Sequence, residues 1–190
     1  MSLVEPQTYR WTLKRYLDVA ESGVLADEKV ELIDGEIVAM PAQKEPHALA
    51  VSRTTRELMA IFPEPYFVKI QSTFRLSDVS APEPDVMVLP QVKDSGRSLH
   101  DTPLLVVEVS ETTLRYDRGA KASMYAARGV QDYRVINVVD DQVEVDRRPI
   151  PDAQAPFGWR YSPAIVRRRG EQVDVLAAPG RTISVDRLLP

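Results

Sequence analysis

The sequence predicts an α/β domain: a mixed central β-sheet flanked by helices, with a helix and a β-hairpin at the N-terminal end. Three observations predict it. Leu104-Leu105-Val106-Val107-Glu108-Val109 is an apolar, β-branched run of the kind buried on both faces of a sheet. Asp34-Gly35 separates two apolar runs, which is a strong short-range hairpin signal. Segments with helical spacing alternate with strand-like runs in the order helix, hairpin, helix, several strands, helix, strands.

The elements follow in order. Leu13, Tyr16, Leu17 and Ala20 recur at helical spacing, with Thr12 as N-cap and Gly23 as stop. In the hairpin of residues 30–40, a turn at Asp34-Gly35 pairs Ile33 with Glu36 and Glu31 with Val38. Alternation then puts Glu31 on the face that carries Ile33 and Val38. Pro41 and Pro46 break the chain, and His47 to Ile61 reads as a helix ended by Pro63. Residues 66–70 and 73–76 read as strand material, 77–84 as a loop, and Pro84 to Leu89 as a buried strand with Asp85 at its mouth. Gln91 to Pro103 reads as a polar connection. After the Glu108 strand, Ser110 to Asp117 reads as a polar turn and Gly119 to Arg128 as a helix capped by Gly129. Tyr133 to Val139 and Gln142 to Arg147 read as strands joined at Asp140-Asp141. Residues 159–166, 172–176 and 183–189 are shorter closing elements. A single domain over 1–190 is expected, with 1–10 and 148–160 loosely structured.

Composition narrows the chemistry. With no Cys, disulfides and thiolate metal sites are excluded, and a reducing cytoplasm is the expected compartment. Two His make a site of several imidazoles an unpromising reading, so an expected metal is a hard cation on oxygen ligands. No apolar run reaches the ~18 residues of a membrane span. Residues 1–10 lack the apolar core of a signal peptide. The net charge of −4 does not advertise a nucleic-acid binder, although a local basic face can coexist with it.

Glu31, Asp85 and Glu108 are polar exceptions beside apolar strand sequence. An ionised Glu inside a strand such as that of Glu108 costs several kcal/mol unless a metal ion, a Lys or a bound proton compensates it. Asp85 precedes Glu108 by 23 residues (108 − 85), one loop between two strands, and Lys121 follows it by 13 (121 − 108), inside the next helix. A helix leaving a strand packs back over the sheet and can aim a Lys at it. Two or three carboxylates with a Lys can hold Mg²⁺ and position a water beside a phosphodiester.

In this set the chain resembles the PD-(D/E)xK phosphodiesterase superfamily: Pro84-Asp85, then Glu108 in a hydrophobic strand, then a Lys. Position 110, two after the Glu, is Ser rather than Lys, and Lys121 stands for the displaced Lys known in that superfamily. More specifically the chain is similar to the Uma-two family of endonucleases. The similarity rests on Glu31-Leu-Ile-Asp-Gly-Glu36, His47, Pro84-Asp85-Val86, Val107-Glu108-Val109-Ser110, Tyr116-Asp-Arg-Gly-Ala-Lys121, Tyr125, Gly129-Val130-Gln-Asp-Tyr133 and Pro179-Gly180. It spans about residues 10–189. It departs at Glu111-Thr112-Thr113, where the family has Ser-Pro-Ser-Thr, and at Tyr133-Arg134-Val135-Ile136-Asn137, where the family has Tyr-Trp-Ile-Val-Asp. The resemblance implies a restriction-endonuclease-like fold, Mg²⁺ (with Mn²⁺ as substitute), a nucleic-acid substrate, DNA first, and a homodimer.

The expected catalytic set is therefore Asp85, Glu108, Lys121 and Glu31, with Asp85, Glu108 and Glu31 on the metal. His47, Gln71 and Tyr125 are candidate supporting residues, and Arg115, Arg118 and Arg128 candidate nucleic-acid contacts. Each has an ordinary competitor. Glu108 can sit in a structural ion pair, Asp85 can cap a turn, and Lys121 can be a solvated helix residue. The Arg167-Arg168-Arg169 run can be a solvated face. The alternative to an endonuclease is an inactive nuclease-fold module that binds nucleic acid or protein.

Overall fold

The computed structural model describes residues 7–90 and 102–190. Most of the expected connection Gln91 to Pro103 therefore lies outside the described residues. The chain divides into two compact units: residues 1–42 with 73–83, and residues 43–72 with 84–190. The reason is a pair of separate apolar cores, one around Leu13, Tyr16, Leu32 and Ala81, the other around the main sheet.

In the first unit, α1 (Leu13–Glu21) is capped by the Thr12 hydroxyl, which accepts from the Arg15 N–H at 3.4 Å. β1 (Val30–Ile33) and β2 (Glu36–Ala39) form the expected hairpin, with Glu31 opposite Val38 and Ile33 opposite Glu36. Its turn needs positive φ at both central residues, +49° at Asp34 and +76° at Gly35. Gly35 is also fixed by space, because a Cβ there would come within 2.9 Å of Arg10 Cβ. Residues 73–76 do not form the expected strand. Their backbone instead returns on the following loop, Phe74 N–H to Pro82 and Leu76 N–H to Ser80.

The second unit is built on a six-stranded sheet, ordered β10-β7-β6-β5-β4-β3. Its strands are β3 (Phe67–Ile70), β4 (Val86–Leu89), β5 (Leu105–Ser110), β6 (Asp132–Asn137), β7 (Gln142–Arg147) and β10 (Ile165–Arg168). β5 and β6 are parallel and every other neighbouring pair is antiparallel, so the sheet is mixed. All residues of β4, β5 and β6 are buried, as the apolar composition of β4 and of most of β5 requires, while β6 also buries Asp132 and Arg134 as an ion pair. Val86, Val88, Leu105, Val107 and Val109 face a core shared with α2 (Glu45–Ile61) and with the C-terminal Val173, Val175, Ile183 and Leu188. Pro46 does not stop the chain before α2. It occupies the first turn, where its missing N–H has no helical partner to lose.

The connection from β5 to β6 starts earlier than expected. Instead of a polar turn to Asp117, helix begins at α3 (Leu114–Tyr116), widens into a π-turn over Asp117–Lys121, and continues as α4 (Ala122–Ala127). The Ala122 N–H reaches back five residues to the Asp117 carbonyl, which also accepts the Tyr133 hydroxyl at 3.0 Å. A side chain inserted into the helical ladder is a sufficient cause for the widened turn. Gly129 closes the helix with φ +84°, as a C′ glycine does.

Residues 148–160 are not loosely structured. β8 (Pro149–Pro151) pairs antiparallel with β9 (Trp159–Tyr161), and the Ser123 hydroxyl ties α4 to this hairpin through the Trp159 carbonyl at 2.6 Å. The prolines suit a short ribbon with few ladder N–H groups to lose. β11 (Gln172–Asp174) and β12 (Thr182–Ser184) form a last hairpin before a 3₁₀ turn at Val185–Arg187.

Candidate active site

Antiparallel pairing places Val86 opposite Val107, and one step beyond that ladder sets Asp85 against Glu108. The two residues then bond each other's strand: Asp85 N–H donates to Glu108 Oε2 at 3.3 Å, and Val109 N–H to Asp85 Oδ2 at 2.9 Å. Since Val107 and Val109 point to the α2 core, Glu108 points the other way, toward the helical stretch of residues 114–127.

There the widened turn delivers Lys121. Its Nζ lies 3.0 Å from Glu108 Oε1, and the Tyr125 hydroxyl donates to the same oxygen at 2.8 Å. Lys121 and Tyr125 are one turn apart and share a face. Glu108 is 3% exposed and Lys121 4%, so this ion pair is closed to solvent. Such a pair is held by geometry and hydrogen bonds rather than by a large net gain.

Asp85, 6% exposed, is gripped from three sides. His47, in the first turn of α2, brings Nε2 to 3.1 Å from Oδ2. The Nδ1 of that ring has no partner among the described residues. Gln71 and Gln43 donate side-chain N–H groups to Oδ1 at 3.1 and 3.3 Å. Burial pushes the Asp85 carboxyl up, but the hydrogen bond and charge of His47, with the Val109 N–H and Gln71, outweigh it. The net direction is down, so Asp85 is a carboxylate at neutral pH.

The expected residues thus separate. Asp85, Glu108, Lys121, Tyr125, His47 and Gln71 come together in the second unit. Glu31 belongs to the first unit, where it is buried on β1. Arg118 is clamped onto Glu144 by two bonds of 2.6 and 2.7 Å. Arg115 is exposed and Arg128 half-buried.

Two neighbours lay outside the sequence reading. Gln43 stands in the loop between Pro41 and Pro46, where nothing in the pattern marks it. Asp117 had a signal, since it lies four residues before Lys121. Its carboxylate is buried and accepts from the hydroxyls of Ser110 and Thr113. Burial raises its carboxyl against the opposing effect of Lys121, and the net direction is up.

A family model described as "Uma2: Putative restriction endonuclease" matches residues 13–186. The chain belongs to the Uma2 family. A solved structure described as "a putative nuclease belonging to DUF820 from Anabaena variabilis ATCC 29413" is similar over 93% of this chain and 96% of that chain. The two are 17% identical and superpose with a TM-score of 0.68, a likeness of fold. The fold of this Uma2 chain is thus a restriction-endonuclease-like mixed sheet with few helices. No curated protein matches it.

Restriction-endonuclease-like families are generally metal-dependent. Among the described residues no three His, Asp or Glu side chains gather into a set that would enclose a metal ion. A dication that keeps its waters asks for less: Mg²⁺ is typically held by one or two carboxylates. Asp85 and Glu108 meet that need, since they are buried, hydrogen-bonded together and made of hard oxygen donors. Moreover, Asp85 Oδ1 is met among the described residues by neutral amide groups alone. These residues fit a hard dication.

Proposed function

We propose that this chain is a metal-dependent endonuclease that hydrolyses phosphodiester bonds of nucleic acid, DNA first, with Mg²⁺ as its ion and Mn²⁺ as a substitute. The observation that carries the reading is the buried Asp85–Glu108–Lys121 cluster at one mouth of two central strands. Membership of the Uma2 family supports it.

In this reading Asp85 and Glu108 hold the cation. The ion, when bound, acts as a Lewis acid at the phosphate and lowers the pKa of a coordinated water. The chain's own groups do the rest. His47, Gln71 and Val109 N–H hold Asp85 as an oriented carboxylate. Tyr125 and the Asp85 N–H orient Glu108 in the same way. Lys121 places a fixed positive charge beside Glu108, where it stabilises the anionic water or the charge gathering on phosphate oxygens. Without the ion, the same ammonium compensates Glu108, so Lys pairing is the resting state of the site.

The test is supercoiled plasmid nicking by the purified protein, with Mg²⁺, with Mn²⁺ and with chelator. Cleavage should require the ion and should fall by about 10³-fold in Glu108→Gln and in Lys121→Ala. Cleavage that survives both substitutions undiminished overturns the reading.

A further inference from the structure

Beside Asp85, a cavity of about 290 Å³ opens between the first half of α2 and the end of β3. It is lined by Gln43, Ala48, Val51, Ser52, Thr55, Ile70 and Gln71. Two of these, Gln43 and Gln71, are the residues that hydrogen-bond Asp85 Oδ1. The cavity and the candidate site thus share one wall, and a group bound in the cavity lies a single side chain away from Asp85.

The wall is chemically specific. It has no charged side chain, so it offers little to a phosphate or a metal ion. It offers two primary amides, two hydroxyls and the apolar surfaces of Ala48, Val51 and Ile70. Gln71 spends both N–H groups, one on Gln43 Oε1 at 2.9 Å and one on Asp85 Oδ1 at 3.1 Å. This leaves, among the described residues, the Gln71 carbonyl as an acceptor and one Gln43 N–H as a donor. Thr55, also on the lining, is 9% exposed, and its Oγ1 is buried with no partner among the described residues. Gln71 is also held at φ +43°, in the left-handed region that a β-carbon disfavours.

A flat group with apolar faces and adjacent donor and acceptor positions on its edge matches this wall. We infer that the cavity is a nucleobase subsite, which seats a base flanking the cleaved bond and reads its edge through Gln43 and Gln71. Adenine fits best, because its adjacent N6 donor and N7 acceptor match the Gln71 carbonyl and the remaining Gln43 N–H, the acceptor and donor this wall leaves open. The inference rests on the nuclease reading for the identity of the polymer, but binding tests it separately from cleavage.

The experiment uses fluorescein-labelled single-stranded 12-mers of dA, dC and dT, with polarisation measured on the Glu108→Gln chain so that cutting is negligible. The dA strand should bind about tenfold more tightly than dT, the range expected of one well-made edge contact. Ala48→Trp fills the cavity from an exposed position on α2, and Gln71→Ala removes the acceptor. Both should level the three affinities, and circular dichroism checks that each variant folds. Equal affinities in the Glu108→Gln chain, or a dA preference untouched by both changes, overturns the subsite. If the native chain cuts DNA while this preference is absent, the subsite falls and the nuclease stands. If the preference is present and responds to both changes while the native chain cuts nothing, the nuclease reading falls and the subsite stands.

Discussion

Two buried clusters of opposite charge sit on the main sheet, and they are built differently. At the mouth of β4 and β5, Asp85 and Glu108 are met by a Lys, a His, a Tyr hydroxyl and two Gln amides. At the start of β6, Asp132 is met by two Arg. Arg134 forks onto both of its oxygens at 3.1 and 2.8 Å, and Arg147 adds a third bond at 3.1 Å. Both guanidiniums then continue to the Asp174 carbonyl, at 2.9 and 2.7 Å. A guanidinium keeps its proton and its planar fork under all ordinary conditions, so the second cluster is locked. The first cluster is made of groups that can release a proton, rotate or give up a hydrogen bond. Only that kind of cluster can exchange a partner for a metal ion or a substrate.

The largest effect expected from this contrast falls on the locked cluster. Asp132→Ala strands Arg134, which is 1% exposed, and should cost about 3–5 kcal/mol of stability. Urea unfolding at neutral pH measures it. A loss below 1 kcal/mol would mean that the two Arg find other partners and that the cluster is not a lock. Next comes the exchangeable cluster, where the effect is on rate. Glu108→Gln should slow plasmid nicking by about 10³-fold, some 4 kcal/mol of barrier, while the urea midpoint moves much less than for Asp132→Ala. The reverse ranking would exchange the roles assigned to the two clusters.

The third effect separates them by ligand. Mg²⁺ at a hundred times its Kd should stabilise the native chain by about 2.7 kcal/mol. A thermal shift should show the gain in the native chain and not in Asp85→Asn. A shift of equal size in both proteins would move the ion to some other place on the surface.

Much of this was legible in the sequence where local rules are strict. The Asp34-Gly35 hairpin appears in its expected register because only that turn chemistry tolerates two positive φ values in a row. Asp85, Glu108 and Lys121 could be singled out because a charge inside an apolar pattern is costly and so informative. What stayed hidden depended on tertiary contacts. The Pro-rich stretch from 148 has no periodicity, yet it forms a ribbon because Ser123 and the partner strand hold it. At the π-turn of Asp117–Lys121 the Asp117 carbonyl accepts the Tyr133 hydroxyl from another element, a contact that no local propensity records. Gln43 comes to Asp85 from a loop whose only local marks are its prolines.

The smallest effect concerns a third strand carboxylate that has neither kind of partner. The carboxyl group of Asp146, on β7 opposite Tyr133, makes no hydrogen bond or ion pair among the described residues. Burial, with the charge of Glu144, pushes its pKa up to about 6 despite the opposing charge of Arg118. Below about pH 6 the compensation for this carboxylate is a proton, where Glu108 uses a Lys and Asp132 uses two Arg. The folded-state pKa lies above the unfolded value of about 3.9, so the folded chain binds the extra proton. The stability tied to that proton is fully present below pH ~4 and is lost as pH rises through about 6. Asp146→Asn keeps the shape and removes the titration. The variant should match the native chain at pH 4 and exceed it by about 1–2 kcal/mol at pH 8, as measured by urea unfolding at both values. A difference that stays constant across that range would mean that Asp146 is ionised in the fold, and that a proton is not what lets this sheet carry a carboxylate without a cation.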